Sequence, residues 1–154
     1  MSPQRIASTV RREVPLLRDD APLRDAVIQL TESDVPALPV VDTPGKLLGI
    51  FGEREFIGAL FPGYLKTLRY AGFVRRSLDE ALDKRAACVD EPVAKHMNTE
   101  HIDVGEDFSD IELAEIFLHH RVLIVPIVDR GRVTGIVTRE DFARELAQRL
   151  IPPR

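Results

Sequence analysis

The chain has a single cysteine, Cys88, so no disulfide can form within it and cysteine-rich metal sites are excluded. Long apolar runs are missing as well. The longest, Val122 to Val128, falls far short of the roughly 20 residues a membrane-spanning helix needs, and it contains Pro126. It reads as a buried strand, and no membrane association is expected. The opening segment, Met1 to Val10, lacks a continuous apolar stretch followed by a small-residue cleavage site; no export signal is expected, and the cytoplasm is the expected compartment. Excess positive charge is also absent. With 21 Lys and Arg against 25 Asp and Glu the net charge is −4, which argues against broad attachment to nucleic acid or anionic lipid. No nucleophile–base arrangement, glycine-rich phosphate loop or metal-hydrolase helix is visible, so no enzymatic activity is expected. His96, His101, His119 and His120 follow no established ligand spacing, and no metal site is expected. His119 and His120 suit the end of a helix, where the dipole favours imidazole.

What remains is a globular composition, 44% hydrophobic and 30% charged, sufficient for one core. Laid on itself with a shift of roughly 86 to 88 positions, the chain repeats. Asp20-Ala21-Pro22-Leu23-Arg24-Asp25-Ala26 falls against Asp107 to Ala114, with one residue inserted in the second copy. Leu38-Pro39-Val40-Val41-Asp42 faces Val125-Pro126-Ile127-Val128-Asp129. Gly49-Ile50-Phe51-Gly52-Glu53-Arg54-Glu55-Phe56 faces Gly135-Ile136-Val137-Thr138-Arg139-Glu140-Asp141-Phe142.

Each copy has the same periodicity. Leu23, Ala26, Val27 and Leu30 recur at helical spacing, as do Ile111, Ala114, Phe117 and Leu118. Strands are predicted over Ala37 to Val41 and Val122 to Val128. Turns at Asp42 to Gly45 and Asp129 to Gly131 lead into second strands, Leu47 to Phe51 and Val133 to Val137. A second helical stripe follows in each copy: Phe56, Ile57, Leu60 and Phe61, then Phe142, Ala143, Leu146, Ala147 and Leu150. Short strands around Val14 to Leu17 and Ile102 to Val104 complete two β-α-β-β-α units. The fold class is α+β, with residues 1–61 and 93–154 as repeats packed about a pseudo-two-fold axis. Residues 62–92 form a helical connector between them.

The connector should hold two helices. Tyr64, Leu65, Leu68 and Ala71 make one stripe; Ser77 to Glu80 is a capping box followed by Ala81, Leu82 and Ala86. Its Lys66, Arg69, Arg75 and Arg76 suit a lid, a phosphate clamp or a docking surface, and equally a solvated face.

The repeated pattern of an apolar run, Pro-Val-Val-Asp or Pro-Ile-Val-Asp, a turn and Gly-Ile-Val-Thr-Arg-Glu-Asp resembles the CBS-domain family. The resemblance covers roughly residues 10 to 61 and 93 to 149. It implies a tandem pair, often called a Bateman module, with a cleft for adenosine-containing ligands such as AMP, ADP, ATP or S-adenosylmethionine. No cofactor is obligatory. Such pairs often form homodimers, and this chain offers no further length for an effector domain, so it is expected to signal to an unidentified protein partner by contact.

Gly135 to Asp141 is where a strand ends and a helix begins, a place that attracts anions. There Thr138 can donate to a phosphate or ribose oxygen, Arg139 adds positive charge, and Asp141 can accept from both ribose hydroxyls. The resemblance assigns nucleotide contacts to Thr138 and Asp141, and adenine contacts to Thr99 to Ile102 and to Leu123 and Ile124. Thr-x-x-Asp is equally a capping variant that needs no ligand. The first repeat departs from the pattern, with Gly52 in the threonine's place and Glu55 in the aspartate's, so it is expected to be mainly structural. Members of the family that hold polyphosphates often present His or Arg just ahead of the repeat's proline, where this sequence offers Pro36-Ala37 and Leu123-Ile124. The resemblance therefore implies a monophosphate or adenosyl group rather than ATP. Two readings stand: a ligand-sensing regulatory module, or a constitutive dimerisation scaffold whose nucleotide site is vestigial.

Overall fold

The computed structural model describes residues 5–61 and 78–151. In chain order the elements are α1 (Ile6–Val10), β1 (Leu17–Arg18), α2 (Leu23–Glu32), β2 (Ala37–Val41), β3 (Leu47–Gly52) and α3 (Glu53–Leu60). They continue with α4 (Leu78–Lys84), 3-10 turns at Ala86–Asp90 and Val93–Lys95, β4 (Val104–Gly105), α5 (Asp110–His119), β5 (Ile124–Asp129), β6 (Arg132–Thr138) and α6 (Arg139–Leu150). Two three-stranded sheets result, ordered β1-β2-β3 and β4-β5-β6. In each, the short first strand runs parallel to the second, and the second and third form a hairpin. The β5–β6 turn is Arg130-Gly131, both at positive φ (53° and 83°), as a tight two-residue hairpin loop demands.

Strand alternation explains how the halves join. Val125 and Val137 point into a core with Val104, Phe108, Leu113, Ile127 and Phe142. Their neighbours Ile124 and Ile136 point the other way, into the core of the first repeat with Leu17, Leu38, Val40 and Phe51. With both faces covered, β5 reads as an unbroken apolar run. Cys88 is buried in the first core.

The leading segments cross. Arg12 exchanges backbone hydrogen bonds with Ile136 of the second repeat, both at 2.9 Å. Asn98, at the corresponding place ahead of the second repeat, exchanges them with Ile50 of the first, at 2.8 and 2.9 Å. The helix α1, which the periodicity did not announce, buries Ile6 in the second core and packs on α6.

Several sequence expectations shift. The strands expected over Val14 to Leu17 and Ile102 to Val104 are confined to Leu17–Arg18 and Val104–Gly105, the residues that pair with β2 and β5. On α5 the buried residue is Leu113, while Ile111 and Leu118 are exposed; on α6 only Phe142 of the apolar stripe is buried. A short helix resting on a small sheet contacts it through one narrow line, so the rest of the stripe faces outward. In the connector, α4 is present and Ala86 lies in a 3-10 turn. The other expected helix, from Tyr64 to Ala71, and the basic residues Lys66, Arg69, Arg75 and Arg76 lie outside the described residues, as does Ser77. His119 is the last residue of α5 and His120 caps it, as expected.

Candidate functional site

The site is organised by the junction between β6 and α6. Ile124 pairs across the sheet with Thr138, and the carbonyl of Leu123 accepts the Arg139 N–H at 2.9 Å, which fixes where the helix starts. Thr138 has extended backbone and is the N-cap; its hydroxyl oxygen accepts the Asp141 N–H at 3.0 Å. The capping role left open by the sequence is therefore occupied. Thr138 and Asp141 are both buried, at 4% and 9% exposure.

A buried carboxylate needs a partner, and Asp141 has one that the motif did not foretell. Arg12 grips it from both sides, Nε to Oδ2 at 2.5 Å and Nη2 to Oδ1 at 3.0 Å. The remaining arm of the guanidinium, Nη1, reaches Asp34 Oδ2 at 2.7 Å. Arg12 holds the Asp141 carboxyl below the ordinary carboxylate range, outweighing the opposite effect of burial, and the two acids raise the pKa of Arg12. Arg144 approaches Asp141 Oδ1 from within the helix at 3.5 Å.

Beside this junction lies an open cleft of about 1070 Å³ between the repeats. Val35, Phe56 and Leu123 provide apolar wall, and Arg139 shares the lining with three acids, Asp34, Glu53 and Glu140. Thr138 and Asp141 stand outside this lining. A second, small pocket of about 80 Å³ is formed by Gly52 to Glu55 with Asn98, His101, Arg121, Leu123 and Ile124. His101 Nε2 is 3.3 Å from Asp103 Oδ2, while its Nδ1 is buried with no partner among the described residues.

The structure thus brings Thr138, Arg139, Asp141, Leu123 and Ile124 together, while His101, of the Thr99 to Ile102 segment, meets Leu123 and Ile124 in the small pocket beside Gly52. Asn98 is tied to Ile50, and His101 lines the pocket of the first repeat's motif. The crossing is the reason: each motif is faced by the leader of the opposite repeat. Asn98 and His101 therefore sit on the Gly52 side, and Arg12 takes the corresponding place beside Asp141. The repeat offset carried that signal, since it sets Arg12 against Asn98 once the leaders are included in the alignment.

Gly52 also has a structural cause. A Cβ there would sit 2.6 Å from the Pro36 carbonyl oxygen and 2.7 Å from Ala37 Cβ. Glu55 compensates by accepting the Gly52 N–H at 3.0 Å. Among the described residues no group of three or more His, Cys, Asp or Glu is placed to hold a metal ion, and no helix is long and apolar enough to cross a membrane.

Two mixed sheets in tandem with crossed leaders and a Thr-x-x-Asp helix start define a paired α+β module. The CBS-domain family model matches residues 6–62 and 93–148, and the chain belongs to that family. It is 23% identical over 137 residues to an A-adding tRNA nucleotidyltransferase from Aquifex aeolicus, matching 88% of this chain. It is 38% identical over 55 residues to the inosine-5'-monophosphate dehydrogenase of Streptococcus pyogenes, matching 34% of this chain. The chain spans 13% and 11% of the length of these relatives. Among solved structures, CBSX2 in complex with AMP superposes with a TM-score of 0.68 at 19% identity, covering 95% of this chain and 98% of that one. That likeness establishes the shared fold.

Proposed function

We propose that the chain is a regulatory, non-catalytic module that binds an adenosine-containing ligand through its second repeat and reports it to a protein partner by contact. The observation that carries this reading is Asp141, a nearly buried, ionised carboxylate at the first turn of α6, flanked by Thr138, Arg139 and the Leu123–Ile124 edge. Its ribose-binding role is supported by the family and by a relative of the same fold that is described in complex with AMP. Three acids against one arginine in the adjoining cleft oppose a polyphosphate. AMP or an adenosyl group such as that of S-adenosylmethionine fits the charge better than ATP.

Ile57, Ile111, Leu118, Leu146 and Leu150 are more than two-fifths exposed, which supports a second copy of the chain covering these helices. A homodimer in the cytoplasm, with neither nucleic acid nor membrane as partner, is the assembly we assign. The rival reading is a constitutive scaffold with a vestigial nucleotide site. It is favoured by the occupied cap at Thr138 and by the packing that fixes glycine at 52.

A thermal-shift panel of AMP, ADP, ATP and S-adenosylmethionine on the parent and on Asp141→Asn separates the two. At a ligand concentration about 100 times its Kd, stabilisation of ~2.7 kcal/mol is expected. For a domain of this size that is a rise of roughly 5–10 °C, abolished by the substitution. Flat curves across the panel support the scaffold, and a rise that survives in Asp141→Asn moves the site elsewhere.

A further inference from the structure

Arg12 stands outside the repeated motif, and its side chain does more than neutralise one charge. Its fork covers both oxygens of Asp141 in the second repeat while its third nitrogen spans to Asp34, in the loop between α2 and β2 of the first. Its backbone is fastened to Ile136 on both sides, so the guanidinium is delivered to Asp141 by β6 itself. Arg12 is two-thirds buried at its side chain and Asp141 nine-tenths, whereas Asp34 is 82% exposed. The firm end of the bridge is therefore at the acid, and the loose end is in solvent.

We infer that Arg12 is an internal occupant of the ligand-binding acid: its guanidinium holds the positions that a ligand's vicinal hydroxyls require, and a ligand binds by driving it off Asp141. This rests on the reading of Asp141 as the ribose-binding acid and deepens it by naming how that site is regulated. A carboxylate has about four lone-pair positions. The bidentate arginine takes one on each oxygen, the edge a diol would otherwise use to bridge both. The competitor is part of the same chain, so its local concentration never falls, and apparent affinity is reduced by the fraction of molecules in which it has let go.

Displacement also has a structural consequence. Asp34, exposed and in the lining of the inter-repeat cleft, binds Arg12 Nη1 in the same arrangement in which Asp141 holds the other two nitrogens, so it braces the occupied state. The swing severs the bridge that links Asp34, Arg12 and Asp141. It thereby frees the α2–β2 loop from the start of α6, a local change that a partner on this face can read.

The test is calorimetric titration of adenosine and 2′-deoxyadenosine into the full chain and into Arg12→Gln and Asp34→Asn. Adenosine isolates the diol because it carries no phosphate. In Arg12→Gln the Kd for adenosine should fall on the order of tenfold, the ratio expected when the open form is about a tenth of the population. The preference for adenosine over its deoxy analogue should widen. Asp34→Asn, which removes the charge of the exposed anchor, should loosen Arg12's hold on Asp141 and tighten adenosine binding more modestly. It provides an independent reading should Arg12→Gln fail to fold. Binding in the parent that is unchanged or weakened in Arg12→Gln, or that weakens in Asp34→Asn, overturns the occupancy while leaving the site intact. Binding by none of the proteins overturns both the occupancy and the proposed function.

Discussion

Restoring the family residue at position 52 should damage the protein. Threonine stands at 138 in the second repeat, so Gly52→Thr completes the motif on paper. The two positions differ in what faces them. The new Cβ would lie 2.6 Å from the Pro36 oxygen, 2.7 Å from Ala37 Cβ and 3.1 Å from Ala37 Cα. None of these is the far end of a flexible side chain: Ala37 is paired with Gly52 in the sheet, and the Pro36 carbonyl accepts the Glu53 N–H at 3.2 Å. Relief therefore requires β2 and β3 to separate, and overpacking of this kind costs about 1–3 kcal/mol. A threonine cap in place of glycine returns only about a few tenths of a kcal/mol. The net loss should be about 1–2.5 kcal/mol, seen as a fall in melting temperature of roughly 2–10 °C. Gly58→Ala is the matched control, since that glycine is exposed within the same helix and its Cβ meets nothing within 4 Å. It should gain ~1 kcal/mol. Urea denaturation of both variants gives the comparison. A Gly52→Thr protein as stable as the parent would refute the packing argument and return Gly52 to being a lost ligand contact.

Further outcomes follow from other contacts. Thr138→Ala should lose ~1 kcal/mol by removing the α6 cap, and Thr138→Ser should recover most of it in the same urea titration. Ile6→Ala should cost about 2 kcal/mol, since this leader residue is 8% exposed within the second core; a negligible change would detach α1 from that core. Glu106 is held at about 2, against an ordinary 4.5, by Arg11 and then by Thr134. Because its folded pKa is depressed, the stabilisation is fully present above about pH 4.5 and disappears as pH falls through about 2. The side chain is 40% exposed, so solvent screening limits the effect to ~1 kcal/mol. In acid titrations followed by circular dichroism, Glu106→Gln should flatten that limb of the stability curve.

The paired architecture was legible because apolar alternation and the repeat are written in the chain itself. Ala37 to Val41 forms a strand over the residues expected, and the second strands extend the expected ones by a residue at most at either end. The helical stripes were less informative. Spacing identifies a face but not how much of it a small sheet covers, and Ile111, Leu118 and Leu150 are exposed despite perfect periodicity. Gly52 read as a missing hydroxyl because sequence does not show the Pro36 carbonyl crowding it. Arg12 was missed for another reason: its partner lies 129 residues away, and only the crossing of the leaders brings them together.

That crossing also governs the order in which the molecule can be completed during synthesis. The segment around Arg12 leaves the ribosome early, yet the strand that receives it ends at Thr138. The first repeat likewise waits for Asn98 to border Ile50. Neither half can close by itself, so the nascent chain must keep its leader unspent until β6 appears. Such long-range closure slows folding and lengthens exposure of unpaired strand edges. Moving residues 5–12 to the far end of the chain by circular permutation would make that pairing local and should speed refolding.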